Sequence, residues 1–267
     1  MEKLITSFDG TKIYYKINRF KTKTFLTFIH GLSGNHTAFN PIIELFNNKK
    51  MSTLTLDLRG HGKSHKRADI SIENCAHDLD CILKKEKINK CILIAHCFGG
   101  PLALEFYKQV PEKVEKMVLM NTTYANPFTG RNVHDKFKNT MVTVLKKSLE
   151  YYKPVRKKFI HNNCELYKKR SLLYIFLKDL FANPTETYIK SLIAYFNNNQ
   201  EHILSKIKIP VLIIGGEKDR YISHKASEFM NKKIKGSKMI ILKEADHIPL
   251  IRNPKLIFNI LFDFCKT

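Results

Sequence analysis

Ile94-Ala95-His96-Cys97-Phe98-Gly99-Gly100 joins an apolar run, Lys90 to Ala95, to the segment Pro101-Leu102-Ala103-Leu104-Glu105-Phe106-Tyr107. The first run has the length and character of a short buried strand, and the second opens an amphipathic helix. Cys97 then stands on the turn between them. A sharp strand-to-helix turn holds its apex residue in strained backbone geometry and leaves room only for small side chains two positions before and after it. Ala95 and Gly99 meet that demand. A thiol presented on such an apex predicts a covalent catalyst.

Working outward, Leu4 to Phe8 and Lys12 to Ile17 read as a hairpin around Asp9-Gly10, a two-residue turn signal. Strands are expected at Thr24 to Ile29, Met51 to Asp57, Lys90 to Ala95, Val114 to Met120, Ile209 to Gly215 and Lys238 to Leu242. Helices are expected at Phe39 to Asn47, Ile72 to Lys87, Phe98 to Gln109, His224 to Lys233 and Pro254 to Cys265. Strands alternating with helices imply an α/β fold, a mostly parallel sheet covered on both faces.

With these elements in place, the chain resembles the α/β-hydrolase superfamily at five landmarks. His30-Gly31 after the strand Thr24 to Ile29 resembles its oxyanion loop, and Asp57-Leu58-Arg59-Gly60-His61-Gly62-Lys63-Ser64 resembles a second fingerprint. The turn at Cys97 resembles its nucleophile elbow, with cysteine where serine usually stands. Pro210 to Asp219 resembles the strand and loop that carry the acid of the catalytic triad, and Ala245-Asp246-His247 the loop that carries its histidine. The order nucleophile, acid, histidine is the one this superfamily uses. The resemblance implies an eight-stranded sheet flanked by helices, with an inserted helical cap.

Between Asn121 and about Gln200 no strand pattern is evident. Val133, Phe137, Met141, Val144, Leu145 and Leu149 recur at helical spacing, and Tyr188, Ile189, Leu192, Ile193 and Phe196 do so again. The expected division is a core of residues 1–120 and 201–267 with a cap of residues 121–200. The cap is rich in aromatic residues, most of which must hold its helices together while a few line a pocket.

Composition fits one catalytic domain. A chain of 267 residues with 43% hydrophobic side chains can bury a single core. No apolar run approaches the ~18 residues of a membrane span. Met1-Glu2-Lys3-Leu4-Ile5 leads straight into a strand pattern without a signal-peptide apolar region, which predicts a soluble, cytoplasmic protein. Cys75, Cys81, Cys91, Cys97, Cys164 and Cys265 follow no disulfide framework and are expected as thiols. The formal charge of +22 is spread along the chain, with short clusters such as Arg156-Lys157-Lys158 and Lys168-Lys169-Arg170. No nucleic-acid-binding signature accompanies it, so no specific nucleic-acid partner is expected. A field that attracts anionic acyl substrates is one reading of the charge, and a solvated surface is the other. No metal-ligand spacing is present, and neither a metal nor a cofactor is expected.

The resemblance assigns catalytic roles to Cys97, Asp219 and His247. A free thiol of pKa ~8.5 is only a few per cent thiolate at neutral pH, so an imidazole that takes its proton raises the attacking species. His247 is that base, and Asp219 fixes its tautomer and stabilises the imidazolium. Backbone N–H groups of Leu32 and Phe98 are expected to face the developing oxyanion. The alternative acid position, after the strand Val114 to Met120, holds Asn121, which cannot serve. Asp246 precedes His247 and is read as a loop acid, because adjacent side chains usually point apart. The expected function is an acyl hydrolase acting on a small ester, lactone or thioester through an acyl-cysteine intermediate. An acyltransferase with the same intermediate, a carbon–carbon bond hydrolase and a non-catalytic ligand-binding module of the same fold remain alternatives.

Overall fold

The computed structural model describes residues 1–32, 34–65, 69–127, 135–150 and 185–266. Its centre is one sheet of eight strands: β1 (Glu2–Thr6), β2 (Lys12–Asn18), β3 (Thr24–Ile29), β4 (Thr53–Leu56), β5 (Lys90–His96), β6 (Val114–Met120), β7 (Val211–Gly216) and β8 (Lys238–Leu242). The spatial order is β1-β2-β4-β3-β5-β6-β7-β8. β2 pairs antiparallel with both β1 and β4, and every other pairing is parallel.

The central parallel strands β3, β5 and β7 are buried on both faces over nearly their whole length, which explains why they read as largely apolar runs. In β5, Cys91, Leu93 and Ala95 enter one core cluster while Ile92 and Ile94 enter the other. Met117 and Leu119 of β6 join the first, and Val118 and Met120 the second. Helices α1 (Asn40–Asn48), α2 (Ile72–Lys85) and α3 (Gly99–Gln109) follow β3, β4 and β5 respectively. Apolar side chains of α2 and α3, such as Leu79, Leu83, Leu102 and Phe106, cover the first face. Ile42 and Phe46 of α1 cover the second, together with Ile257 and Leu261 of the C-terminal helix Pro254–Lys266.

The hairpin differs from the two-residue turn expected of Asp9-Gly10. Gly10 N–H donates to Ser7 O (3.1 Å) and Ser7 N–H to Thr11 O (2.8 Å), so Phe8-Asp9-Gly10 form a three-residue loop. Gly10 takes φ +84, the left-handed position that this loop length requires. Phe8 therefore leaves β1 and is exposed.

The fingerprint from Asp57 to Ser64 is a self-bonded loop. Asp57 is fully buried and accepts from the backbone N–H groups of His36 (2.6 Å) and Lys63 (2.7 Å), as well as pairing with His36 Nδ1 (2.8 Å). Arg59, also fully buried, forks onto Asp78 through Nε (2.8 Å) and Nη2 (2.7 Å). The geometry of such a fork matters because a buried guanidinium without its carboxylate is costly.

Within residues 121–200, two helices are described, α4 (Asp135–Glu150) and α5 (Thr185–Phe196), and they pack against one another. The chain leaves and re-enters the core side by side, through a bridge between Ala125 and Asn199 and a bond from Gln200 N–H to Tyr124 O (2.8 Å). The clusters Arg156-Lys157-Lys158 and Lys168-Lys169-Arg170, Cys164 and the aromatic residues from Tyr151 to Phe181 lie outside the described residues. Among the described residues no helix is long and apolar enough to cross a membrane.

Candidate active site

Cys97 leaves the end of β5 with φ +52, a left-handed conformation that a cysteine adopts only under constraint. The constraints are backbone bonds and close packing. Cys97 N–H donates to Met120 O (3.1 Å), and Gly100 N–H donates to Cys97 O (3.0 Å). The Thr122 hydroxyl also donates to Cys97 O. Close approach then dictates the glycines. A Cβ at Gly99 would lie 2.5 Å from Ile29 O, and one at Gly100 would lie 2.0 Å from Thr122 Oγ1. Gly100→Ala should therefore push Thr122 off the turn and destabilise the protein by about 1–3 kcal/mol, read as a lower urea midpoint.

Gly31 brings the loop after β3 to the same point. A Cβ there would meet Cys97 Cβ at 2.8 Å, so only glycine lets this loop lie against the thiol-bearing residue. His30 pins the loop. Its Nε2 accepts from Leu58 N–H (3.0 Å), which leaves the proton on Nδ1 to donate to Gly31 O (2.8 Å). Leu32 follows immediately, and Phe98 is the N-cap of α3, where backbone N–H groups have no intrahelical partner and the helix dipole favours negative charge.

His247 reaches this turn from the loop after β8. Its Nδ1 donates to Asp219 Oδ2 (2.8 Å), and its ring lies near enough to Cys97 for that residue's charge to act on it. Asp219 lies in the loop after β7 and receives three further bonds: Asn121 Nδ2 on Oδ2 (2.8 Å), and Tyr221 and Ile222 N–H on Oδ1 (2.8 and 3.0 Å). Burial works against the Asp219 charge, but the His247 charge and these bonds outweigh it and hold its carboxyl below the usual carboxylate range. Burial likewise opposes a charged His247 ring. The negative charges of Cys97 and Asp219 prevail and raise it to about 10. Cys97, Asp219 and His247 are thus together. Asp246 is turned away, accepting from Ile248 N–H (3.0 Å) and pairing with Arg252 Nε (3.1 Å).

Three further residues hold these side chains and loops in place. Asn121, dismissed as an acid, donates to the acid instead, from a left-handed backbone position of its own (φ +47). Thr122 holds the Cys97 carbonyl. His96 donates through Nε2 to the backbone oxygen of His247 (2.8 Å), tying the histidine loop to β5. Burial, reinforced by the neighbouring His247 charge, pushes His96 down to about 3, so it remains a neutral donor.

An imidazole raised to about 10 keeps its proton through neutral pH and holds a positive charge beside Asp219 and Cys97. The expected consequence is kinetic. Alkylation of Cys97 by iodoacetamide at pH 7 should be slower in His247→Gln by about tenfold, because the thiolate is the attacking species and loses a cationic neighbour. Equal rates in the two proteins would show that the ring does not govern the thiol.

The residues 25–254 match the model of the family described as alpha/beta hydrolase fold. A protein of Mycoplasma genitalium named "Putative esterase/lipase 2" is 28% identical over 254 residues, covering 91% of this chain and 90% of its own. The proline iminopeptidase of Saccharolobus solfataricus is 24% identical, covering 96% and 89%. Among solved structures, an esterase from Exiguobacterium antarcticum superposes with a TM-score of 0.82 at 18% identity over the full length of both chains. The enol-lactonase from Burkholderia xenovorans does so with 0.77 at 18% identity, over 99% of this chain and all of its own.

Proposed function

The chain belongs to the α/β-hydrolase family, and from that premise we propose that it is an acyl hydrolase of the esterase/lipase kind whose nucleophile is Cys97. The observation that carries this reading is the placement of Cys97 at the left-handed apex of the turn, with His247 in reach and Asp219 bonded to the far nitrogen of the ring. His247 takes the thiol proton, and the sulfur attacks the acyl carbon of a small ester, lactone or thioester. The oxyanion forms against the N–H groups of Leu32 and Phe98, one of which is worth ~3–4 kcal/mol of barrier in a hydrolase of known mechanism. The imidazolium returns its proton to the leaving group, and water then resolves the acyl-cysteine with His247 as base. Asp219 stabilises the charge that appears on the ring at each stage.

Residues 121–200 act in this reading as a cap, and its helix α5 lies over the elbow: the Tyr195 ring meets the Phe98 ring edge-on at 5.5 Å. The names of the relatives, esterase/lipase and iminopeptidase, agree on acyl transfer to water and leave the acyl group open. Acyl transfer to another acceptor uses the same intermediate. The test is a panel of p-nitrophenyl esters, lactones and acyl thioesters, each with and without an added alcohol or amine. Release of free acid throughout supports the hydrolase; ester or amide product in preference to acid assigns the transferase. Absence of turnover on every substrate contradicts both.

A further inference from the structure

Helix α5 carries a line of hydroxyl groups that the triad does not use. Tyr188, Ser191 and Tyr195 are spaced three and four residues apart and so share one face of the helix. Ser191 and Tyr195 are 0% and 2% exposed, and neither Ser191 Oγ nor Tyr195 Oη meets hydrogen-bond geometry with a partner among the described residues, Thr122 alone lying near enough to act on the Tyr195 phenol as a hydrogen-bonding neighbour. A buried hydroxyl without a partner is uncommon in folded proteins and calls for an explanation. The place of Tyr195 supplies one. Its ring packs on Phe98, the residue after the nucleophile, and the site below it is closed, with Cys97 9% and His247 8% exposed.

We propose that the Tyr195 hydroxyl, with Ser191 one turn before it on the same helix face, forms a specificity site that binds a neutral oxygen substituent, a hydroxyl, keto or ring oxygen, on the acyl group of the substrate. This inference rests on the catalytic reading of the same site and adds the acyl class to it. A neutral oxygen fits better than a carboxylate, because the site already holds the Asp219 charge and gains that of the Cys97 thiolate, and like charges repel strongly among buried groups. Burial, followed by those same charges, raises the Tyr195 phenol far above its ordinary range, so it remains an O–H donor at every pH where the protein is folded. Tyr188, further along the face, is raised in the same way by burial and by Cys97. A site built to donate to an oxygen discriminates against the analogue that lacks one, because its own polar group is then left unpaired in the complex.

The experiment measures binding, so that it does not depend on turnover. Butanamide and 3-hydroxybutanamide are compared for protection of Cys97 against iodoacetamide, in the full chain and in Tyr195→Phe and Ser191→Ala. The full chain should bind the hydroxylated amide at least tenfold more tightly, and Tyr195→Phe should reduce that ratio to near one, with Ser191→Ala between them. Thermal unfolding of Tyr195→Phe at or above the parent midpoint checks that the variant folds. Equal protection by the two amides in the parent, or an unchanged ratio in Tyr195→Phe, overturns the proposal. Acylation of Cys97 by p-nitrophenyl butyrate is scored separately: its absence, with the binding ratio intact, would overturn the catalytic reading and leave the oxygen site standing.

Discussion

Cys97→Ala is expected to lower kcat for ester hydrolysis by on the order of 10⁶, the loss seen when the nucleophile of a serine hydrolase is removed alone. The fold should persist. The backbone bonds that hold the turn, from Cys97 N–H to Met120 O and from Gly100 N–H and the Thr122 hydroxyl to Cys97 O, involve no side-chain atom of Cys97. Residual catalysis of ~10³–10⁴ over water should remain from the oxyanion donors and from binding. A variant that kept a tenth of the parent rate would show that the sulfur takes no part in the reaction. Ser64 is no substitute. It is buried, its hydroxyl donating to Asp57 O (2.6 Å) and accepting from Tyr14 N–H (2.9 Å), so it has neither the access nor the free valence of a nucleophile.

Asp219→Asn should cost up to ~10⁴ in the acylation rate, the loss that the corresponding change causes in serine triads, with the greater acidity of a thiol acting to reduce it. The geometry explains why an amide fails. The two Asp219 oxygens accept from four donors: His247 Nδ1, Asn121 Nδ2 and the N–H groups of Tyr221 and Ile222. Asparagine offers one oxygen and sets an NH₂ against two of them, so either the ring loses its tautomer or the loop loses its anchor. Asp246→Asn provides the control. It weakens a partly exposed pair with Arg252, worth roughly 0–1 kcal/mol, and leaves the ring untouched. Single-turnover measurement with p-nitrophenyl acetate should rank Asp219→Asn far below Asp246→Asn, and the reverse ranking would move the acid role to Asp246.

The sheet was legible because its strands are short apolar runs separated by helical segments, and β3, β6 and β8 begin and end at the residues the pattern marks. Edges were less so. Phe8 belongs to the apolar run of β1 but falls in the loop, since Gly10 sets a three-residue connection and hydrophobicity says nothing about turn geometry. Ile209-Pro210 continues the apolar run of β7 in sequence, yet β7 starts at Val211. Proline has no N–H to give to a ladder. At the site, Cys97, Asp219 and His247 were found through local motifs, each readable within a few residues. The supports were hidden because they act across the fold: Thr122 on Cys97, Asn121 on Asp219 and His96 on His247 join segments 25, 98 and 151 residues apart. Tyr195 is of the same kind. Its helical spacing was visible, but that its hydroxyl lacks a partner is a property of the packed structure alone.

The central claim is that the acyl group passes through the sulfur of Cys97, and rapid-quench peptide mass spectrometry after mixing with p-nitrophenyl acetate tests it most directly. Acetylation confined to the peptide containing Cys97, appearing before steady state and absent from Cys97→Ala, is the expected result. Acetyl on any other residue at the same rate, or turnover in the parent with no covalent adduct, would contradict it.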